Sequence, residues 1–239
     1  MDGTLADTES QKARAYVDVI TGLQCADRPD PRIMPLYKRM VGTTDEAMAR
    51  AAVNELDLAA SLERHITTLG VDEPWEALHR LRVEHYLTSH GASDELARHA
   101  FVHNVNLLRQ QHAAGRAIAV ATSTLQREAE RVVHALGVRD LVEHVVGRDR
   151  VGKTKPDPEI YLFTADLLAA PPAGILVVED TPLGVQAALA AGMACIAVAN
   201  SWTEDSLRHQ DILEQRWIAY RPEEVAGVAA RRIAATEHG

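Results

Sequence analysis

Residues 175–182 read Ile-Leu-Val-Val-Glu-Asp-Thr-Pro, and this stretch decides the fold of the chain. The four apolar residues are typical of a short buried strand. Thr181 followed by Pro182 is typical of the cap and the first residue of a helix. The acidic pair Glu179 and Asp180 lies between the two, directly after the strand. A buried strand that leads at once into a helix predicts a parallel sheet.

The same pattern recurs on both sides of this stretch. Further strands are predicted at 117–121, 144–147, 194–198 and 217–219. Helices are predicted near 126–136 and 158–168, from Pro182 to about Gly192, and from about Pro222. Short apolar strands that alternate with helices predict an α/β fold, in which helices cover both faces of a parallel sheet.

The first part of the chain has a different pattern of apolar residues. Between about Thr8 and Ala100 the pattern is helical, with few apolar runs of strand type. Thr43 and Glu46 fit a capping box at the start of one of these helices. The domain prediction is therefore a core start at 1–8, an inserted all-α cap at 9–100, and the α/β core at 101–239.

Composition and charge exclude several classes of protein. The chain has 239 residues, 46% hydrophobic and 25% charged, with a formal net charge of −9 and two cysteines. Disorder and a disulfide scaffold are poor fits, and a net negative surface disfavours nucleic acids and anionic membranes. The sequence has no apolar run long enough to span a membrane and no secretory signal. A reduced cytoplasmic chain is expected; the oligomeric state stays open, and a monomer is compatible with it.

Polar residues stand where each predicted strand ends. Asp2-Gly3-Thr4 resembles a strand-exit loop, Thr122 follows one strand, Lys155 lies beyond another, and Asp180 follows a third. Carboxyl ends of parallel strands meet at one edge of a sheet, where ligands bind. Hydroxyls and an ammonium suit phosphate, and carboxylates suit Mg²⁺. Each motif alone has a structural explanation as a turn or a helix cap, so the prediction depends on their order.

The order of these motifs resembles the haloacid dehalogenase superfamily, and most of all its beta-phosphoglucomutase-like branch. The matching residues are Asp2-Gly3-Thr4-Leu5-Ala6-Asp7, Thr122-Ser123, Lys155-Pro156-Asp157-Pro158 and Val178-Glu179-Asp180-Thr181. The resemblance covers nearly the whole chain. It implies a Rossmann-like parallel sheet core with a helical cap inserted after the first strand.

The resemblance also implies roles at the reacting phosphate. Asp2 matches the general acid/base of the family. Thr122 matches the hydroxyl that holds the phosphoryl group, and the backbone N–H of Ser123 assists it. Lys155 matches the lysine that neutralises nucleophile and phosphate. Catalysis then depends on positioning and charge neutralisation.

A magnesium site follows from the same resemblance. Asp2 matches a residue that binds Mg²⁺ through its backbone carbonyl. Asp180 matches a direct ligand, and Glu179 its neighbour, which acts directly or through water. Mg²⁺ is thus the expected cofactor, and a small phosphorylated sugar or organic phosphate is the expected partner and substrate.

The nucleophile of the family does not occur in this chain. It is the first aspartate of Asp-x-Asp-Gly-Thr, and its place falls immediately before Met1. The strand before it is missing as well, although a central strand contributes about 6–15 kcal/mol by burying four or five apolar side chains. We therefore expect the chain to be N-terminally truncated, and nearly inactive as written.

Three other functions stay open. Phosphosugar mutase activity would need a cap arginine and histidine, but Asp45 and Lys12 take their places; Lys12 remains a candidate substrate contact. Gly147–Thr154 matches the P-loop pattern of NTPases, although Pro156 follows where a helix should begin. Without a nucleophile, the chain would serve as a catalytically inactive phosphate-binding protein.

Overall fold

The computed structural model describes residues 1–89 and 93–237. The chain divides into two compact units. Unit 1 contains Met1–Asp7 and the chain from Leu96 onward, and unit 2 contains Thr8–Glu95. The sequence prediction placed these boundaries after residues 8 and 100. Residues 96–100, assigned there to the cap, lie in unit 1 in the structure.

The described part of unit 1 contains five strands, and all their pairings are parallel. The strands are β1 Ala119–Ala121, β2 His144–Val146, β3 Leu176–Glu179, β4 Ala194–Val198 and β5 Ile218–Ala219. They confirm the predicted α/β class with parallel strands, and each lies within one residue or two of its predicted range. Among the described residues β1 pairs with β2, and β3, β4 and β5 form a second sheet.

Helices surround the two sheets of unit 1. They are α7 Val102–Ala113, α8 Gln126–Ala135, α9 Glu159–Leu167, α10 Pro182–Ala190, α11 Glu204–Arg208 and α12 Val225–Glu237. Strand β4 is buried along its whole length because helices pack against it. Ile196 and Val185 are completely buried. Each such side chain contributes about 1.5–3 kcal/mol of transfer free energy, which fixes β3 and β4 as a rigid base for the residues at their ends.

Local sequence explains where some helices begin and end. Thr181 accepts a hydrogen bond from the Gly184 N–H, and Pro182 is the first residue of α10, as predicted. Gly137 takes a left-handed conformation just after α8, as expected for a helix stop. The capping box at Thr43 is wrong: Thr44 is extended and its hydroxyl accepts from the Ala47 N–H, so the cap lies one residue later.

Unit 2 consists of helices. They are α1 Thr8–Leu23, α2 Ile33–Met40, α3 Asp45–Glu55, α4 Ala59–Leu69 and α5 Pro74–Ser89, with α6 Ser93–Arg98 crossing the boundary to unit 1. Its core contains Ile20, Ile33 and Leu62, all completely buried. The all-α character predicted for the insertion is confirmed in the described residues.

None of the helices in the described part of the chain is both long enough and apolar enough to cross a membrane.

Candidate active site

The loop at the start of the chain passes very close to the end of strand β3. Gly3 has a φ of +68°, and a Cβ placed on it would lie 2.0 Å from the Asp180 Oδ2. Thr4 donates its hydroxyl to the Asp180 Oδ1 at 2.8 Å. Only glycine combines the left-handed backbone with so close an approach. The Asp-Gly-Thr order therefore places the loop backbone against the Asp180 carboxylate.

Asn200, which follows strand β4, also binds the Asp180 carboxylate. The Asn200 side-chain amide donates to the Asp180 Oδ2 at 3.2 Å and to the Gly3 carbonyl at 3.0 Å. Asn200 comes two residues after β4, so the ends of two adjacent strands meet the loop here. Asp180 is 4% exposed, and its position is set by three different segments of the chain.

Glu179 forms a buried ion pair with Lys155. The Lys155 ammonium donates to the Glu179 Oε1, and so does the Tyr161 hydroxyl, at 2.6 Å. The Lys155 ammonium also donates to the Tyr161 oxygen at 3.0 Å. The other carboxylate oxygen, Oε2, accepts from the backbone N–H groups of Asp180 and Thr181. Both oxygens of Glu179 are thus used to anchor Lys155 and the first turn of α10.

Burial and the neighbouring positive charges shift the pKa of the Glu179 carboxyl in opposite directions. Burial acts to raise the pKa of Glu179, but the Lys155 ammonium, the Met1 ammonium and the hydrogen bonds from Lys155 and Tyr161 outweigh it and hold the pKa below its usual range. Burial, together with the negative charge of Glu179, raises the pKa of Tyr161 well above its ordinary value. Tyr161 is therefore a neutral donor, and the Glu179 carboxyl stays ionised at neutral pH.

A chain of hydroxyls connects Thr122 to Asp2. The Thr124 hydroxyl donates to the Asp2 Oδ2, and the Thr124 N–H donates to the Thr122 Oγ1 at 3.2 Å. Thr122 is buried, and its own N–H pairs with the Val146 carbonyl of β2. The residues that follow β1 therefore contact the N-terminal loop that also contacts Asp180.

The structure brings most of the predicted site residues into one network. From Thr122 it runs through Thr124 to Asp2, and from the adjacent Gly3 through Asn200 to Asp180. Asp180 follows Glu179, which pairs with Lys155. All of these residues lie in unit 1.

Two predicted residues lie outside this network. Ser123 is half-buried in the turn between β1 and α8. Lys12 lies in unit 2, where its ammonium pairs with Glu9 at 3.2 Å.

The P-loop pattern does not form a phosphate cradle. The N–H groups of Gly152 and Lys153 donate to the Glu159 carboxylate at 2.8 and 2.9 Å, so an anion of the chain itself already occupies them. The Lys153 side chain is 72% exposed and pairs with Asp157. Helix α9 begins only at Glu159, whereas a P-loop opens directly into its helix.

The oxygen donors of this site fit magnesium. Across residues 1–89 and 93–237 no group of three or more His, Cys, Asp or Glu side chains is placed to hold a metal ion. Mg²⁺ usually takes one or two carboxylates and completes its shell with water and substrate phosphate. Asp180 and Asp2 supply such oxygens, with the loop backbone pressed against Asp180 by Gly3. Both oxygens of Glu179, like both oxygens of Asp180, accept hydrogen bonds from donors of the chain.

Sequence reasoning missed four residues of the network: Thr4, Thr124, Tyr161 and Asn200. The rule that polar residues follow strands would have found Asn200, because it comes just after the apolar run 194–198. Thr4 and Thr124 each lie within two residues of a predicted site residue. No sequence signal marks Tyr161, whose hydrogen bond to Glu179 joins α9 to the end of β3.

Comparison with known proteins identifies the family. The family model described as "Hydrolase: haloacid dehalogenase-like hydrolase" matches residues 1–192. The chain belongs to the haloacid dehalogenase-like hydrolases. The resemblance inferred from the four motifs is thus confirmed, and the protein is a hydrolase by membership of this family.

Relatives of this hydrolase match along most of its length. It is 29% identical to the phosphorylated carbohydrates phosphatase of Thermotoga maritima over 95% of this chain and 94% of the relative. Solved structures share its fold: a beta-phosphoglucomutase from Clostridium difficile has a TM-score of 0.74 at 15% identity, covering 100% of this chain and 96% of the other. A mutant of CbbY from Rhodobacter sphaeroides, in complex with xylulose-(1,5)bisphosphate, has a TM-score of 0.67 at 24% identity, covering 95% and 96%.

Proposed function

We propose that this hydrolase is a Mg²⁺-dependent phosphomonoesterase that acts on a small phosphorylated sugar or organic phosphate. The observation that carries the proposal is the hydrogen-bonded network in which Asp2, Thr122, Lys155 and Asp180 meet at the carboxyl ends of parallel strands. Acid/base, hydroxyl, ammonium and metal-binding groups in one place are what phosphoryl transfer needs. Its natural partner would be a small metabolite, and its location the cytoplasm.

Each residue has a distinct task in the proposal. The Asp2 carboxyl protonates the leaving oxygen, and the Thr124 hydroxyl that donates to it keeps it oriented. The Thr122 hydroxyl, assisted by the Ser123 N–H, would bind a phosphoryl oxygen. Lys155 neutralises charge that develops on the transferring group, and its ion pair with Glu179 keeps it in place.

Mg²⁺ would be held by the Asp180 carboxylate and by Asp2 through its backbone carbonyl, and Glu179 would act beside them. The ion supplies positive charge that stabilises the phosphoryl oxygens. Thr4 and Asn200 orient the Asp180 carboxylate, since each donates to one of its oxygens.

The proposed reaction has two steps. An aspartate carboxylate, which the family resemblance places on a residue before Met1, attacks phosphorus; the bond to the substrate oxygen breaks, and that oxygen takes the proton of Asp2. Water then attacks the aspartyl-phosphate, gives its proton to Asp2, and releases inorganic phosphate while the carboxylate re-forms.

Relatives indicate the class of substrate. A phosphatase of phosphorylated carbohydrates aligns over nearly the whole chain, and a CbbY whose fold the chain shares was solved with a sugar bisphosphate. Phosphosugar mutase activity is the second candidate, because a beta-phosphoglucomutase has the same fold. It is disfavoured because Asp45 and Lys12 replace an expected arginine and histidine; in unit 2 Asp45 pairs with Arg82 at 3.0 Å.

The test is a phosphomonoester panel with Mg²⁺. Two proteins are compared: the chain from Met1, and the same chain extended upstream through the aspartate and its strand. We expect the extended protein to release inorganic phosphate from at least one sugar phosphate, and to stop when the metal is chelated. Isomerised sugar phosphate without phosphate release would instead support the mutase. No turnover on the whole panel would favour a catalytically inactive phosphate-binding protein.

Substitutions at Lys155 and Lys153 distinguish a phosphatase from a P-loop NTPase. In the extended protein, Lys155→Ala is expected to lower kcat/KM by about 10²–10³, the cost of losing one stabilising donor in a buried site. Lys153→Ala is the matched control and is expected to leave activity unchanged, because its side chain is exposed. Lys155→Arg keeps the buried charge, so it guards against a folding defect. Loss of nucleotide binding in Lys153→Ala, with Lys155→Ala unaffected, would contradict the proposal.

A further inference from the structure

Tyr161 is a core residue of unit 1 whose hydroxyl is part of the candidate active site. The residue is 5% exposed, and it belongs to the same apolar core cluster as Val146 and Val177. Its hydroxyl accepts from the Lys155 ammonium at 3.0 Å and donates to the Glu179 Oε1 at 2.6 Å. Tyr161 lies outside all four sequence motifs of the site. A ring packed in the core turns little, so the position of the hydroxyl is set by the core.

The loop that carries Lys155 is tied to the same helix turn that carries Tyr161. Helix α9 begins at Glu159, so Tyr161 lies in its first turn. The Glu159 carboxylate accepts from the N–H groups of Gly152 at 2.8 Å and Lys153 at 2.9 Å. Because these two residues come shortly before Lys155, the loop cannot shift away from α9 without breaking both hydrogen bonds.

Glu179 provides a fixed third corner. Its Oε2 accepts from the N–H groups of Asp180 and Thr181, at 3.0 and 3.3 Å. Its Oε1 accepts from Tyr161 and from Lys155. The three side chains therefore form a closed ring of hydrogen bonds. A carboxylate bound at both oxygens cannot follow the ammonium if the hydroxyl is removed.

The Lys155 ammonium has three N–H donors, and two of them are used within this ring. One donates to Glu179 and one to Tyr161. The Lys155 side chain is 8% exposed, so little water reaches it. Lysine has a flexible four-carbon stem, and with Glu179 alone the nitrogen could shift around the carboxylate. Two fixed partners hold the nitrogen in place and set the direction of its third N–H.

We propose that Tyr161 is a positioning residue for phosphoryl transfer: together with Glu179 it takes two N–H groups of Lys155 and directs the third to the transferring phosphoryl group. This inference rests on the proposed function, from which it takes the role of Lys155. Tyr161 acts only through Lys155. A donor that is directed in advance at the developing charge needs no reorganisation during the reaction, and this is how preorganised sites stabilise a transition state.

The first test measures turnover in the extended protein with Tyr161→Phe. Phenylalanine keeps the ring in the core and removes only the hydroxyl. We expect kcat to fall about tenfold, the effect of one hydrogen bond to a charged group, with KM changed less than about twofold, because the directed donor acts in the transition state. Tyr220→Phe is the matched control: it also removes one hydroxyl, which donates to Gln215 at 2.6 Å on the surface, and should leave both constants unchanged.

The second test needs no turnover and uses the 239-residue chain. The ammonium protons of Lys155 are followed by nitrogen-15 NMR, and Lys155→Arg identifies the signal by removing it. In Tyr161→Phe we expect these protons to exchange with water about tenfold faster, since one of their hydrogen bonds is lost. Tyr220→Phe should leave the exchange rate unchanged. Urea unfolding of every variant gives the folded fraction, so that rates refer to folded molecules only.

The proposal requires both changes in Tyr161→Phe. Lower stability with unchanged kcat per folded molecule would make Tyr161 a structural residue and overturn the proposal. A lower kcat with unchanged ammonium exchange would overturn it too, because Lys155 would not have been released. If the extended parent hydrolyses no phosphomonoester, it is the proposed function that fails. Faster ammonium exchange would then still show that Tyr161 holds Lys155, and equal exchange would refute that as well.

Discussion

At Gly3 the backbone passes so close to Asp180 that no side chain fits between them. The Asp180 carboxylate cannot simply move aside, because Thr4 and Asn200 each hold one of its oxygens. The residue thus combines a left-handed backbone with a tight contact, and both requirements point to glycine.

Gly3→Ala is expected to lower the free energy of unfolding by about 2–4 kcal/mol, the sum of left-handed strain and overpacking. Gly192→Ala is the matched control, since Gly192 also has a positive φ, +76°, but no atom within 4 Å of an added Cβ. The control should cost only about 1–2 kcal/mol. Urea unfolding of both variants measures the difference. Equal losses would show that the contact with Asp180 contributes nothing.

Glu179 makes stability depend on pH in a defined direction. Its pKa is depressed in the folded chain, so its ion pair with Lys155 stabilises the protein above the unfolded pKa, near 4.3, and this stability is lost as pH falls through and below that value. Glu179→Gln leaves a buried lysine unpaired and should cost about 3–5 kcal/mol at pH 7. The gap between the two proteins should narrow from pH 5 to pH 3 in urea unfolding. Parallel curves would contradict this account.

The elements of unit 1 differ in how much room they leave for a side chain. In α10 a Cβ on Gly184 would lie 2.1 Å from the Glu179 Cδ, so the first turn of this helix packs directly on the ion pair. In α12 a Cβ on Gly227 would meet only the Arg231 Nη1, at 3.5 Å. Both glycines lie in helices, but only the first is required by packing.

These two helices allow a paired prediction. Gly184→Ala is expected to destabilise the protein by about 1–3 kcal/mol through overpacking. Gly227→Ala is expected to stabilise it by up to about 1 kcal/mol, because alanine is the better helix former. Thermal unfolding of both variants shows whether each substitution lowers or raises the stability. A gain at Gly184 would mean that the Glu179 side chain has another position available.

Strand and helix limits could be predicted to within a few residues in unit 1. Thr181 and Pro182 mark a helix start through groups of their own, and Gly137 marks a stop by its backbone freedom. The cap at Thr43 was missed by one residue because Thr43 and Thr44 have the same chemistry. Only the extended backbone of Thr44 distinguishes them, and it depends on the turn before α3.

At the scale of the molecule, the chain segment that leaves unit 1 and the segment that returns to it are hydrogen-bonded to each other. The Asp7 N–H donates to the His99 carbonyl at 2.8 Å, and the Phe101 N–H donates to the Leu5 carbonyl at 2.8 Å. Unit 2 is therefore inserted at a point where the chain of unit 1 leaves and returns through adjacent backbone segments.

Replacement of residues 8–95 by a short Gly/Ser linker is expected to leave unit 1 folded, since the ends to be joined are already neighbours. Far-UV circular dichroism should lose helix but keep the strand signal, and the amide of Ile196 in β4 should stay protected from exchange. A matched chain with the same deletion but with Ala6 replaced by proline, which disturbs the pairing of Ala6 with Ala100, should be less stable. Loss of cooperative unfolding in the first protein would mean that unit 1 requires unit 2.

The sequence by itself determined the α/β class, the helical insertion and the family, and it predicted the candidate site residues at strand ends, because these depend on local periodicity and on short motifs. The tertiary structure decided what depends on distant segments: Tyr161 and Lys155 both directed to Glu179, and Asn200 joined to Gly3 and Asp180. Such contacts join residues far apart in the chain, so no spacing along the sequence encodes them.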